Sequence, residues 1–459
     1  MLEELLKYLA NKKILILGYG KEGKSTYKFI RKHFPEMKLY VADKKETIVE
    51  ENVELSEDKN IDFILGEKYL EGLENYDLII KAPGVSLKDI DITKFEDKLT
   101  SELDLFLRFV NVYTIGITGT KGKSTTSTLT YKILSDQGLN TYLLGNIGEP
   151  IFNDIEEFDE NTYAVIELSS HALEHVHKSP NIGIFLNLYP EHLDYYKSYE
   201  AYGLAKFNIA KFQKETDFFI YNDDNEDMKK TNFDDYKEHD YKVSFEHVPE
   251  SKNKVYLNGD DIFVNDKRIC TKNIDMKLQG MHIVNNIMFV FAVVNILNLD
   301  FEKALETIKN FEPLEHRMEL VGTFSGITFY NDSIATIPQS TINALKAIKN
   351  INTLIIGGND RGVDQTPVID YIKSTDVENI ICLPKTGEYV YNGLSGTNKN
   401  LYMVQTMSEA VEKAYEVTKK DMVCLMSPAA TSYGFFKNFE DRGRQYKECI
   451  KRFTNNWVT

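Results

Sequence analysis

The stretch TGTKGKST, residues 118–125, holds two side chains suited to phosphate chemistry, the ammonium of Lys123 and the hydroxyl of Ser124. The apolar run YTIGI precedes it, and STLTYKILSDQ, which reads as helix, follows. Strand, glycine loop and helix in that order let backbone N–H groups surround a phosphate while the helix N-terminus adds its positive end. Gly119, Thr120, Lys121, Gly122 and Thr125 supply that backbone. Lys123 would reach the β- and γ-phosphates of a nucleotide, and Ser124 would ligate Mg²⁺. Ile117 occupies the first glycine position of the common GxxxxGK[ST] pattern, so the match is incomplete. The plainer alternative is a lysine-rich turn at a helix start.

Further candidates stand at the ends of apolar runs. Glu167 lies near the end of YAVIEL, and His192 follows IGIFLNL. Open α/β sheets bind ligands outside the carboxyl ends of their strands. A carboxylate there can hold a hard cation, and a histidine there can bind a metal or accept a proton. Taken singly, each residue is more often an ordinary strand-end or loop side chain. Nearer the N-terminus, GYGKEG at 18–23 is a GxGxxG, and Asp43 follows 20 residues after Gly23. That spacing suits a dinucleotide loop but is a weak signal alone.

The elements that must carry these groups alternate strand and helix. KILILG, KLYVAD, IDFILG and DLIIKAPG read as the strands of a doubly wound unit that closes near residue 97. TYLLG, YAVIEL and IGIFLNL then give a second parallel sheet around the 118–125 loop. Residues 240–270 read as a small antiparallel meander, and residues 281–310 as helix. A third α/β section starts near Glu312-Pro313, with ITFYNDS, TLIIGG, NIICLP and MVCLMSP as strands. The expected architecture is α/β with three domains: residues 1–97 Rossmann-like, 98–311 a central P-loop ATPase-type parallel sheet, and 312–459 a C-terminal Rossmann-like α/β domain.

TGTKGKST resembles the nucleotide loop of the Mur ligase family, which lacks the leading glycine. Further matches follow in that family's order. They are GNIGEP at 145–150, IELSS at 166–170, NLYPEHLD at 187–194, AKFNIAK at 205–211 and GMHIVNN at 280–286, then HRMELV at 316–321, YNDSIATIP at 330–338, GGNDRGVD at 357–364 and SPAATSYGFFKNFEDRGRQYKE at 427–448. The last three are most similar to the glutamate-adding members.

The resemblance implies an ATP-dependent ligase of peptidoglycan precursor synthesis that adds glutamate to UDP-N-acetylmuramoyl-L-alanine through an acyl phosphate. It implies ATP and Mg²⁺, two ions, held by Ser124, Glu167, His192 and a carbamylated Lys206. Lys211 is a near competitor for that lysine. Asn146 falls near the substrate carboxylate or the γ-phosphate, and Ser169 beside the substrate. Asn286 falls near the adenine, Arg317 reaches an ATP phosphate, and Asp332 binds the ribose.

For glutamate, the resemblance implies Arg361 on one carboxylate and Ser432 and Phe439 on the other, with Asn438 a weaker candidate and Thr336 in its usual place. The amides of Lys21 and Glu22 would meet the UDP diphosphate, with Asp43 and Lys44 near the uracil. Two positions depart from the pattern: Ile283 replaces an asparagine, and Ile334 replaces the lysine of NDSKAT. The GTKGKST loop and Ile334 lean toward the branch that uses L-glutamate; D-glutamate, much the commoner substrate, is expected first.

Composition narrows the field. With 70 acidic and 54 basic side chains the net charge is −16, which repels nucleic acid. No window has the ~20 apolar residues of a membrane span. Four cysteines without metal or CxxC spacing read as thiols in a reducing compartment, and the N-terminus reads as an amphipathic helix and not a signal peptide. A cytoplasmic monomer is expected.

Three rival readings are weaker. An NAD-dependent oxidoreductase explains residues 13–43 only. A folylpolyglutamate synthase lacks the first 97 residues. A nucleotide-gated binding protein would not need Glu167, His192, Lys206 and Arg317 together.

Overall fold

The run ILIL is apolar at every position, and in the computed structural model all four residues are buried in strand β1 (Ile14–Leu17). A strand apolar on both faces needs cover on both faces, which is the signature of a parallel sheet flanked by helices. The structure describes residues 2–147, 150–191, 195–230, 240–276, 281–311, 315–360, 363–432 and 434–456. The chain divides into two units, Met1–Phe311 and Glu312–Thr459.

The first unit holds two sheets. β1 is joined by β2 (Leu39–Asp43), β3 (Ile61–Leu65), β4 (Leu78–Lys81) and β5 (Leu99–Thr100), all parallel, in the order β3-β2-β1-β4-β5. This sheet takes in Leu99–Thr100, just past position 97. Ser101 then caps the helix Glu102–Phe109, its hydroxyl accepting from the Asp104 N–H at 3.1 Å.

The second sheet contains β6 (Tyr113–Thr118), β7 (Thr141–Gly145), β8 (Tyr163–Glu167), β9 (Ile182–Phe185), β10 (Phe218–Asn222), β11 (Tyr241–Ser244), β12 (Lys254–Asn258), β13 (Asp261–Val264) and β14 (Lys267–Thr271). Its order is β14-β13-β12-β11-β10-β9-β6-β8-β7. The expectation of an antiparallel meander over 240–270 holds only in part. β11 pairs in parallel with both β10 and β12, and only β12, β13 and β14 are antiparallel. The hairpins therefore extend the parallel sheet, because buried Val243 and Val255 continue its apolar face.

One apolar cluster joins the two sheets of this unit, with Phe29 and Phe152 ring centroids 4.6 Å apart. A second cluster lies between the nine-stranded sheet and the helices Lys123–Asp136 and Met281–Ile296. Ile283 is buried in it, which accounts for an apolar residue at that position.

The second unit has β15 (Glu319–Phe324), β16 (Ile327–Asn331), β17 (Ile351–Gly357), β18 (Asn379–Leu383), β19 (Asn400–Met403) and β20 (Val423–Met426) in the order β15-β16-β20-β17-β18-β19. Only β15 is antiparallel to its neighbour. No residue of β15 or β19 is fully buried, so neither strand shows as a hydrophobic run in the sequence. No helix among the described residues is long and apolar enough to cross a membrane.

Candidate active site

β6 lies between β8 and β9 although β7 follows it in the chain, so a crevice opens at its carboxyl end. Register brings the candidates to that edge: Ile117 pairs with Glu167, Thr118 with Phe185, and Gly145 with Glu167. The loop 119–122 turns there into the helix Lys123–Asp136. Gly122 has φ +88°, and a Cβ on it would fall 2.6 Å from Asn286 Oδ1, so both conformation and contact call for glycine. Asn286 is thereby placed against the loop. Ser124 is buried in the first turn of the helix.

Asn187, just beyond β9, fastens the loop. Its Oδ1 accepts from the Lys121 N–H at 2.8 Å, and its Nδ2 donates to the Lys121 carbonyl at 3.0 Å. The Thr120 N–H donates to the Asn187 carbonyl at 2.9 Å. The Thr120 and Lys121 N–H groups are thus both engaged within the protein.

Lys123 Nζ donates to the Gly119 and Thr120 carbonyls at 2.9 and 3.1 Å. Lys206, on the helix Tyr199–Lys211, also donates to the Gly119 carbonyl at 2.9 Å and lies 3.4 Å from Thr118 Oγ1. Its residue is 1% exposed, and its ammonium sits 4.9 Å from the centre of the Tyr202 ring. Burial, and then the charge of Lys123, push its pKa well below the ordinary lysine value. Lys211 is exposed and lies over Phe212, away from this cluster.

Glu167 is 2% exposed. Its Oε1 accepts from Asn146 Nδ2 at 2.9 Å, and its Oε2 is buried with no hydrogen-bond partner. A carboxylate oxygen left out of water without a partner is costly, and a hard cation satisfies it. The donor set therefore fits Mg²⁺. Ser169 caps the helix Ser170–Leu173, its Oγ accepting from the Ala172 N–H at 3.1 Å.

In the first sheet, Gly20 precedes the helix Lys21–His33, and a Cβ on Gly23 would lie 2.0 Å from the Gly18 carbonyl. Lys21 and Lys44 are exposed. Burial raises the Glu22 carboxyl to about 7, with Lys81 opposing. Asp43 accepts from the Tyr19 N–H at 2.7 Å and the Lys45 N–H at 2.8 Å, so its carboxylate pins the glycine loop to β2.

The second unit collects a separate set. Asp332 is 4% exposed and accepts from Ser427 Oγ at 2.7 Å and the Met318 N–H at 3.1 Å. Burial raises its carboxyl to about 6, while Ser427, Met318 and the charges of Arg317 and Arg442 oppose this. Arg442 is fully buried. It donates to Ser333 Oγ, the Ser333 carbonyl and the Ala430 carbonyl at 3.0, 2.7 and 2.9 Å. Ser333 Oγ donates in turn to the Phe439 carbonyl at 2.8 Å. Ser432 is buried, and its carbonyl accepts from the Phe436 N–H at 3.0 Å. Asn438 Oδ1 accepts from the Asp441 N–H at 2.8 Å, which makes it a cap. Ile334 and Thr336 are half-buried, and the Ile334 N–H donates to the His316 carbonyl at 3.0 Å.

His192 and Arg361 lie outside the described residues. Of the rest, the fold gathers Lys123, Ser124, Asn146, Glu167, Lys206 and Asn286 around one loop, and Arg317, Asp332, Ser432 and Phe439 within the second unit. Sequence reasoning gave Asn187, Tyr202 and Arg442 no role. Asn187 and Arg442 stood inside quoted motifs, but a hydrogen bond to distant backbone leaves no local signature.

The fold and this loop define a class: α/β proteins that bring a nucleotide-type glycine loop and a buried lysine and carboxylate to one sheet edge. The model of the Mur ligase MurD-like N-terminal domain matches residues 12–101. That of the Mur ligase middle domain matches 117–294, and that of the Mur ligase glutamate ligase domain 316–429. The UDP-N-acetylmuramoylalanine–D-glutamate ligase of Clostridium kluyveri is 33% identical over 98% of both chains. Its namesake from Clostridium novyi is 32% identical over 97% of this chain and 98% of its own. The chain belongs to the Mur ligase family.

Two solved structures share the fold. One is the UDP-N-acetylmuramate-alanine ligase MurC of Thermotoga maritima, with TM-score 0.56 and 18% identity over 97% of this chain and 100% of that one. The other is the MurF ligase of Thermotoga maritima in complex with ADP, with TM-score 0.54 and 12% identity over 96% and 95%.

Proposed function

We propose that this chain joins D-glutamate to UDP-N-acetylmuramoyl-L-alanine with cleavage of ATP to ADP and phosphate, in cytoplasmic peptidoglycan precursor synthesis. The observation that carries the reading is similarity along nearly the whole chain to ligases named for that reaction. The convergence of Lys123, Lys206, Asn146 and Glu167 at one loop supports it.

The substrate carboxylate attacks the γ-phosphate, the amine of glutamate attacks the resulting acyl phosphate, and inorganic phosphate leaves. Many anionic oxygens meet, so the chain's part is to position and neutralise them. Lys123 pairs with the phosphates. Asn146 holds Glu167 in place. Ser124, Glu167, His192 and Lys206 are the residues that would hold Mg²⁺, which when bound neutralises phosphate charge. Lys206 takes part as a carbamate, formed when its neutral amine adds CO₂ and releases a proton. Its lowered pKa supports the neutral amine that this step needs. Asn286, Arg317 and Asp332 bind the nucleotide. Arg361, Thr336, Ser432 and Phe439 bind glutamate, and Lys21, Glu22, Asp43, Lys44 and Ser169 the UDP-sugar.

The test is phosphate release from ATP with UDP-N-acetylmuramoyl-L-alanine and either enantiomer of glutamate. Turnover with D-glutamate is expected. Turnover confined to L-glutamate would reverse the stereochemical assignment, and none with either would remove the activity.

A further inference from the structure

The hydroxyl of Tyr195 is a meeting point between the two sheets of the first unit. It lies 2.9 Å from the Val85 carbonyl, 3.0 Å from Glu174 Oε2 and 3.4 Å from the Pro83 carbonyl, and its single proton goes to one of these acceptors. It accepts from Lys81 Nζ at 3.3 Å. Lys81, Pro83 and Val85 belong to the end of β4 and the segment after it, beside the glycine loop. Lys81 pairs in register with Leu17, and the Ala82 N–H donates to the Leu17 carbonyl at 2.8 Å. Glu174 and Tyr195 belong to the segments following β8 and β9 of the other sheet.

Lys81 is 3% exposed, and its ion pair with Glu174 spans 3.6 Å, longer than a charge-assisted hydrogen bond. The tyrosine hydroxyl is therefore the shorter contact at this point of the seam, which His33 and Glu156 cross elsewhere at 2.9 Å. Its ring stands at 88° to that of His171, with centroids 4.1 Å apart. Burial and Glu174 raise the Tyr195 pKa, so it stays a hydroxyl.

We infer that Tyr195 is a positioning residue that sets the register between the glycine-loop sheet and the catalytic edge of the central sheet. A substrate bound at both sheets must deliver its carboxylate to the phosphate loop, and that delivery depends on the seam. A misplacement of about 1 Å can cost on the order of 100-fold in rate. This inference rests on the ligase reading for its effect on rate but not for its effect on structure.

Tyr195→Phe removes the hydroxyl and keeps the ring, so the fold is expected to survive. Two measurements on the full chain separate the claims. Hydrogen exchange should quicken at residues 83–87 with little change elsewhere. In steady-state assays kcat should fall about 10- to 100-fold, while KM for ATP and the affinity for free UDP stay within about twofold. Unchanged exchange at 83–87 would overturn the latch. Faster exchange there with unchanged kcat would overturn its role in positioning, as would a change confined to UDP affinity, which would mark Tyr195 as a ligand contact. A wild-type chain without turnover would defeat the ligase reading and the rate claim with it, and the exchange result would still decide the latch.

Discussion

Lys123 and Lys206 donate to the same atom, the carbonyl oxygen of Gly119, each at 2.9 Å. Two ammonium groups at one acceptor repel, and Lys206 is the one cut off from water. Burial beside a second ammonium favours the neutral amine at Lys206.

Lys206→Ala should therefore abolish turnover, with partial recovery on addition of short carboxylic acids, whose carboxylate replaces a carbamate at the metal. Lys123→Ala should also lose turnover, by a factor of about 100 or more, without recovery. Phosphate release with and without added acetate or propionate checks both. Wild-type kinetics in Lys206→Ala would move the metal role to another residue.

Asn187→Ala removes the two side-chain bonds that hold the Lys121 peptide. At about 0.5–1.5 kcal/mol per bond, KM for ATP should rise roughly 5- to 150-fold. The affinity for the UDP-sugar should not move, since no atom of the first sheet takes part in these two bonds. Isothermal titration of each ligand separates the effects, and equal losses for both would contradict the clamp.

Arg361→Ala should raise KM for glutamate strongly, by about 10- to 150-fold for a lost hydrogen bond to a charged group. KM for ATP should stay nearly constant. Arg361→Lys should be intermediate, because it keeps the charge but loses the planar fork. A loss confined to ATP would make Arg361 a nucleotide contact.

Asp332 gives a pH dependence with a definite sign. Its folded pKa is raised from 3.8 to about 6, so the folded chain holds a proton that the unfolded chain has released. The resulting stability is present below about pH 4 and is lost as the pH rises through about 6. Asp332→Asn removes this dependence. Relative to wild type, the variant should gain stability between pH 5 and pH 7.5, by an amount on the order of 1–3 kcal/mol. Denaturant titrations at the two pH values read it, and a constant difference would show that Asp332 is ionised throughout.

Much of this molecule follows from local sequence. The glycine loop, the strand before it and the helix after it are contiguous, and glycine spacing with apolar runs encodes them at short range. The same holds for β1 and the loop GYGKEG, and the order of motifs identified the family. Tertiary structure decided which strand ends are neighbours. Only the order β9-β6-β8 brings Asn187, Gly119 and Glu167 to one edge and lets Lys206 reach Gly119 from a distant helix. It also decided burial: a helical lysine is ordinarily solvated, and nothing in AKFNIAK marks Lys206 as enclosed while Lys211 is not. The 240–270 hairpins fused to the parallel sheet, and Arg442 became a buried bracket, for the same reason. Strand pairing and hydrogen bonds to remote backbone are chosen by the packed surface as a whole, and hydrophobic periodicity along one segment carries no record of its partner.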